Sequence, residues 1–365
     1  MHLQNICLTN FKSYESEDFQ FCKGVNCIVG ENGIGKTNLL DAIYFLSLTK
    51  SATSSQDVLS ISHQADFMMI EGVFEINLNK QLKTETITVA LQKGQKKAVL
   101  HDKKLYEKMA DHVGKFPVVM LSPNDTDIAR DGSEERRKFF DGVIAQFDSE
   151  YLDKLLLYNR LLLQRNSLLK QFYERNYVDH DLLDVYSTPL VECAIQLFEV
   201  RKTFIENFIP LFQKHYHNLS ENREKVTVLY ESSLLLGNFE NIFRQNRQKD
   251  IAAQRTTKGI HKDDFIFEID DFPLKKFGSQ GQQKSFVIAL KLAQYEILTQ
   301  KKSLKPILLL DDIFDKLDDR RIQKLIEMMT AGIFGQIFIT DARPERTHEL
   351  LNNKGFEMKY FKLKK

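Results

Sequence analysis

A chain of 365 residues, 42% of them hydrophobic and 28% charged, can bury cores for about two domains without disulfide or metal staples. Fifty-one Lys and Arg against fifty Asp and Glu leave a net charge of +1, so a nucleic-acid partner must be held by a local patch and not by bulk charge. Cys7, Cys22, Cys27 and Cys193 show no metal-site spacing, no apolar run approaches the roughly 18 residues that span a bilayer, and the opening MHLQNICLTNFKSY has no secretory pattern. Secreted, membrane-spanning and disordered classes are thereby excluded, and a soluble cytoplasmic protein with free thiols is expected.

The first hundred residues read mainly as strands. Phe74 and Ile76, and then Ile87, Val89 and Leu91, alternate with polar neighbours at the period of half-buried antiparallel strands. Val25–Val29 instead reads as a fully buried strand. It runs directly into Gly30-Glu31-Asn32-Gly33-Ile34-Gly35-Lys36-Thr37, which fits G-x-x-x-x-G-K-[ST], and residues 38–46 from Asn38 continue as an amphipathic helix. Strand, glycine loop and helix in that order make a phosphate-binding P-loop. Backbone N–H groups and the helix dipole would face phosphate oxygens, Lys36 would reach the β- and γ-phosphates, and Thr37 would ligate Mg2+.

From about 149 to 209 the apolar spacing turns helical. It predicts a helix over 155–172, a polar break at 174–187 and a second helix ended or kinked by Pro210, together an antiparallel hairpin. Residues 201–262 hold eleven Lys and Arg against six Asp and Glu. That basic excess suits phosphate contacts, although a basic helical arm is more often merely solvated. Arg136, Arg137 and Lys138 read as a solvated helix face, or as a DNA or dimer contact. His261 with Asp263 and Asp264 reads as structural, with a metal site as the weaker option.

Beyond about residue 264 strands and helices alternate. Ser279-Gln280-Gly281-Gln282-Gln283 opens a helix and forms a second anion cradle. Ile307–Leu310 is a second fully buried strand. Asp311 emerges at its C-terminal end to complete the magnesium shell, and Asp312 follows, placed to orient or deprotonate an attacking water.

With these pieces in place the chain resembles the ABC-type ATPase heads of the SMC group, and more closely the bacterial RecF family. The resemblance spans Leu8–Tyr14, the P-loop with Asn38, Leu121–Asp125, Gly132–Asp141, Gln164–Lys170, Gly259–Asp264, the Ser279 segment and the Leu-Asp-Asp of the acidic strand. It implies an α/β P-loop ABC-type head with a mixed sheet and a strand-rich N-terminal lobe. The head would be built from residues 1–135 and 265–365, with a helical arm inserted at 136–264. It also implies that Ser279, Gln280, Gly281 and Gln282 act in trans as the signature of a partner copy, so that ATP closes a homodimer. The implied function is an ATP-dependent clamp on DNA at single-strand gaps or junctions, helping RecO and RecR load recombinase, with a part in replication and the SOS response. ATP and Mg2+ would be its cofactors, and its ATPase weak and DNA-stimulated. Hydrolysis is expected to be slow, because Asp312 stands where most ABC proteins have Glu, and Thr340 and Asp341 stand where a switch histidine is usual. The loop 49–53 lacks the arginine associated with the family there. The alternatives are a transporter ATPase, which needs a membrane partner, and a long-armed chromosome-structure ATPase, which needs far more heptads than this chain holds.

Overall fold

The computed structural model describes residues 1–78, 81–220, 223–315, 318–351 and 355–363. The chain divides into two compact units, one of residues 1–125 with 290–365 and one of residues 126–289. The boundaries expected at 135/136 and 264/265 fall inside the second unit, within the helix Ser133–Ala145 and the strand Asp264–Ile269. Both elements pack there: Asp264–Ile269 pairs antiparallel with Val226–Glu231, and Phe140 lies 4.3 Å from Phe265, ring centre to ring centre.

The first unit holds two sheets. Five parallel strands run in the order Met358–Lys362, Val25–Val29, Ile337–Asp341, Ile307–Leu310, Val118–Leu121. All but the edge strand Met358–Lys362 are buried along their whole length, which is why their sequences read as largely apolar runs. The second sheet is antiparallel, six strands in the order Tyr14–Gln20, His2–Phe11, Phe67–Leu78, Gln81–Gln92, Ala98–His101, Lys104–Leu105. The helix Lys36–Leu48 buries ten of its thirteen residues in a core shared with both sheets, joining Leu3, Ile6 and Leu8 on one side to Val118, Leu309 and Phe338 on the other. At about 1.5–3 kcal/mol for each large apolar side chain, this burial fixes the helix, and with it the loop at its N-terminus.

The second unit is a helical layer on a small sheet. Its long helices are Ser149–Arg175 and His180–Ser220. Of the end or kink expected at Pro210, the end is corrected: the second helix runs through both Pro189 and Pro210. A proline removes one backbone hydrogen bond, but Phe204, Phe208, Phe212 and Tyr216 are all buried, and that packing outweighs the loss. The polar break is likewise shorter than the composition suggests, because His180–Ser187 is already helical.

Candidate functional site

The loop after Val29 keeps Glu31, Asn32 and Gly33 exposed at its crest, while Gly35 and Lys36 are buried at its base. Gly35 has φ of 107°, a left-handed conformation that disfavours any side chain. A Cβ there would also approach the Ser13 Oγ to 2.8 Å and the Tyr14 Oη to 3.2 Å. The turn between the first two strands is thus seated on the loop. The Tyr14 hydroxyl donates to the Gly35 carbonyl at 2.9 Å, and the Asn38 amide donates to Ser13 Oγ at 2.8 Å. Lys36 is only 4% exposed, and its ammonium donates to the carbonyls of Gly30 at 2.9 Å and Glu31 at 3.0 Å. The cation therefore lies under the loop, where phosphate oxygens would meet it.

Parallel pairing places the strand ends side by side, with Ile337–Asp341 between the strand leading to the loop and the strand leading to Asp311. The Thr37 hydroxyl contacts both carboxylate oxygens of Asp311, at 2.9 and 3.1 Å. Burial pushes the Asp311 carboxyl up from its ordinary value, the hydroxyls of Thr340 and Thr37 pull it down, and neighbouring Asp312 pushes it up again. Asp312 itself has φ of 44°, and its Oδ1 is buried with no partner among the described residues. Thr37 and Asp311 offer oxygen donors only, the chemistry a hard divalent cation prefers.

Sequence reasoning singled out the loop and both acids but gave no role to three residues beside them: Ser13, Tyr14 and Thr340. Their signal is tertiary. The loop 49–53 also holds its place without the arginine: buried Asp41 accepts from Ser51 Oγ at 2.8 Å and from the Ala52 N–H at 2.6 Å, and pairs with Lys12 at 2.6 Å.

The Ser279 segment belongs to the second unit. Ser279 Oγ accepts from the Gln282 N–H at 3.2 Å, while the Ser279 N–H donates to Gln282 Oε1 at 2.7 Å, a reciprocal capping box at the start of Gln280–Lys302. Ser279 and Gln280 are exposed, and as a cap acceptor the Ser279 hydroxyl keeps its own proton for donation. Elsewhere in this unit the basic motif residues are tied into the fold. Arg136 grips the Asp264 carboxylate with two bonds of 2.8 and 2.9 Å, and Arg137 donates to the Asp263 carbonyl. A solvated face is therefore not what these two arginines provide. Arg165 joins Ser187, Asp250 and Thr256, and Arg201 joins Asp141 and Asp263. His261 bonds Tyr158 and the Thr256 carbonyl, and no group of three His, Cys, Asp or Glu side chains that could hold a metal occurs among the described residues. All four cysteines are free.

The family model described as the RecF/RecN/SMC N terminal domain matches residues 2–362. The chain is 47% identical to the DNA replication and repair protein RecF of Flavobacterium johnsoniae, over 100% of both chains. It is 45% identical to the RecF of Cytophaga hutchinsonii, over 98% of this chain and 94% of that one. Among solved structures, the recombination mediator protein RecF-ATPrS of the RecFOR pathway superposes with a TM-score of 0.87 at 27% identity, covering 100% of this chain and 96% of that one. The corresponding RecF-ATP structure gives 0.86 at 29%, covering 93% and 92%. An Smc head domain with an extended coiled coil from Pyrococcus furiosus, 18% identical with a TM-score of 0.56 over 100% of this chain and 94% of that one, shares the fold. The fold is that of an α/β P-loop ATPase head of the ABC/SMC type, and the chain belongs to the RecF family.

Proposed function

We propose that this chain is an ATP-dependent DNA-binding protein of DNA replication and recombinational repair. The observation that carries the reading is the meeting of Thr37 and Asp311, 2.9 Å apart across 274 positions of sequence, directly beside a phosphate loop. Relatives named for DNA replication and repair, and RecF structures named for ATP and an ATP analogue, support it.

Gly30–Asn38 bind the triphosphate through backbone N–H groups, and Lys36 supplies the positive charge beneath it. Thr37 and Asp311 are the residues that would hold Mg2+, which when bound neutralises charge on the phosphates. The Asp312 carboxylate orients the attacking water and accepts its proton. A serine hydroxyl and helix N-terminus at Ser279, with Gln280, Gly281 and Gln282, complete the nucleotide site of a second copy. ATP in this reading closes a homodimer on gapped or junction DNA, hydrolysis reopens it, and RecR and RecO act with it in recombinase loading.

Gel filtration with and without ATP, and with and without gapped DNA, tests this. An ATP-dependent dimer that takes up DNA is expected, and Ser279→Arg should bind ATP yet remain monomeric. A protein that stays monomeric with ATP, or dimerises equally well as Ser279→Arg, overturns the shared-site reading.

A further inference from the structure

Thr340 is the penultimate residue of the buried strand Ile337–Asp341, which lies between the two strands that carry the proposed nucleotide site, and it is 0% exposed. Its hydroxyl has one proton to donate and lone pairs to accept, and both capacities are used on the acidic pair. Thr340 Oγ1 donates to Asp311 Oδ1 at 2.8 Å and accepts the Asp312 backbone N–H at 2.9 Å. A continuous chain of hydrogen bonds therefore runs from the Asp312 peptide through Thr340 to the Asp311 carboxylate, each bond polarising the next.

Asp312 occupies the left-handed region, φ 44°. A non-glycine residue persists there only where its surroundings hold it. Among the described residues, the bond to Thr340 is a direct restraint on that peptide. The same hydroxyl helps to orient the Asp311 carboxylate: Oδ1 accepts from Thr340 at 2.8 Å and lies 2.9 Å from Thr37, so Oδ2, 3.1 Å from Thr37, is the less engaged oxygen and the one left for a cation.

We infer that Thr340 is a positioning residue that locks Asp311 and Asp312 into their working geometry. It is a fixed brace near the strand end where a switch histidine is usual in ABC proteins. The inference rests on the reading of Asp311 and Asp312 as cation-holding and water-orienting groups.

The test compares Thr340→Val, which keeps the shape and removes the hydroxyl, with Thr340→Ser, which keeps the hydroxyl. Thr340→Ala carries the hydroxyl-free arm if the valine variant is unstable. Binding of a fluorescent ATP analogue is titrated at rising Mg2+ and again in EDTA, and steady-state hydrolysis is measured alongside. The hydroxyl-free variant should match wild type in EDTA but need about tenfold more Mg2+ for half of the metal-dependent tightening, as expected for a lost partner behind a cation ligand. Its kcat should fall about 10- to 100-fold with KM less affected, and serine should restore both to within about threefold. Wild-type Mg2+ dependence and kcat without the hydroxyl, or a serine variant as defective as valine, overturns the inference. A wild-type protein that fails to bind the analogue at all defeats the proposed function instead.

Discussion

The Tyr14 hydroxyl donates to the Gly35 carbonyl at 2.9 Å, so the turn of the first hairpin is fastened to the last glycine of the phosphate loop. Removing that bond alone, as Tyr14→Phe, should cost about 1 kcal/mol and weaken nucleotide binding less than tenfold. Gly35→Ala meets both the left-handed backbone and the crowding by Ser13 and Tyr14. It should lose nucleotide binding and about 1–3 kcal/mol of stability. Urea unfolding and analogue titration of the two variants check the ordering; an alanine variant that binds like wild type contradicts it.

Asp312→Asn keeps the size of the side chain and removes its charge. ATP should still bind and the dimer persist, while hydrolysis falls about 10²-fold, the scale of a lost general base. Single-turnover hydrolysis measures this, and a normal rate removes Asp312 from the chemistry.

His112 gives the stability a pH dependence. Its Nε2 lies 2.6 Å from the Leu46 carbonyl, which can only accept, so Nε2 carries the proton and Nδ1 is bare, buried and without a partner among the described residues. Burial holds the folded imidazole down to about 4 from an ordinary 6.5. The unfolded chain therefore takes up a proton between these values that the folded one refuses. The contribution is complete above about pH 6.5 and is lost as the pH falls towards 4, up to about 3 kcal/mol. His112→Gln should flatten that part of the unfolding free energy between pH 7 and pH 4.5. An unchanged slope would mean that the imidazole is charged in the fold.

Much of this architecture is legible in the sequence because it is written in local patterns. Val25–Val29 and Ile307–Leu310 announce buried parallel strands, and the glycine spacing with Lys36 and Thr37 announces the loop between strand and helix. What cannot be read locally is decided by packing. Pro210 sits inside a helix because four aromatic neighbours on one face hold it there. Arg136, Arg165 and Arg201 look like surface charge, yet they are ion-pair partners of acids tens of residues away. Thr340 has no motif at all; its role follows from the strand order that sets it between Asp311 and the phosphate loop.

Phosphate contacts should make DNA binding fall with salt, with a log–log slope of about −0.9 for each phosphate neutralised. Arg247 is already paired with Asp184, whereas Arg244 and Lys249 are exposed on short helices of the second unit. Reversing the charge of Arg244 and Lys249 should make the slope shallower by about one to two such increments. A slope that ignores both changes moves the DNA contact off these helices.

The most direct measurement of the central claim is equilibrium titration of wild type and Lys36→Met with a fluorescent ATP analogue. The Lys36 ammonium is held by the Gly30 and Glu31 carbonyls under the loop, so methionine removes a charge placed to meet the phosphates from below. Affinity should fall at least about 100-fold, roughly 2.7 kcal/mol, while thermal unfolding remains cooperative. Wild-type affinity in the methionine variant would contradict an ATP site at residues 30–38.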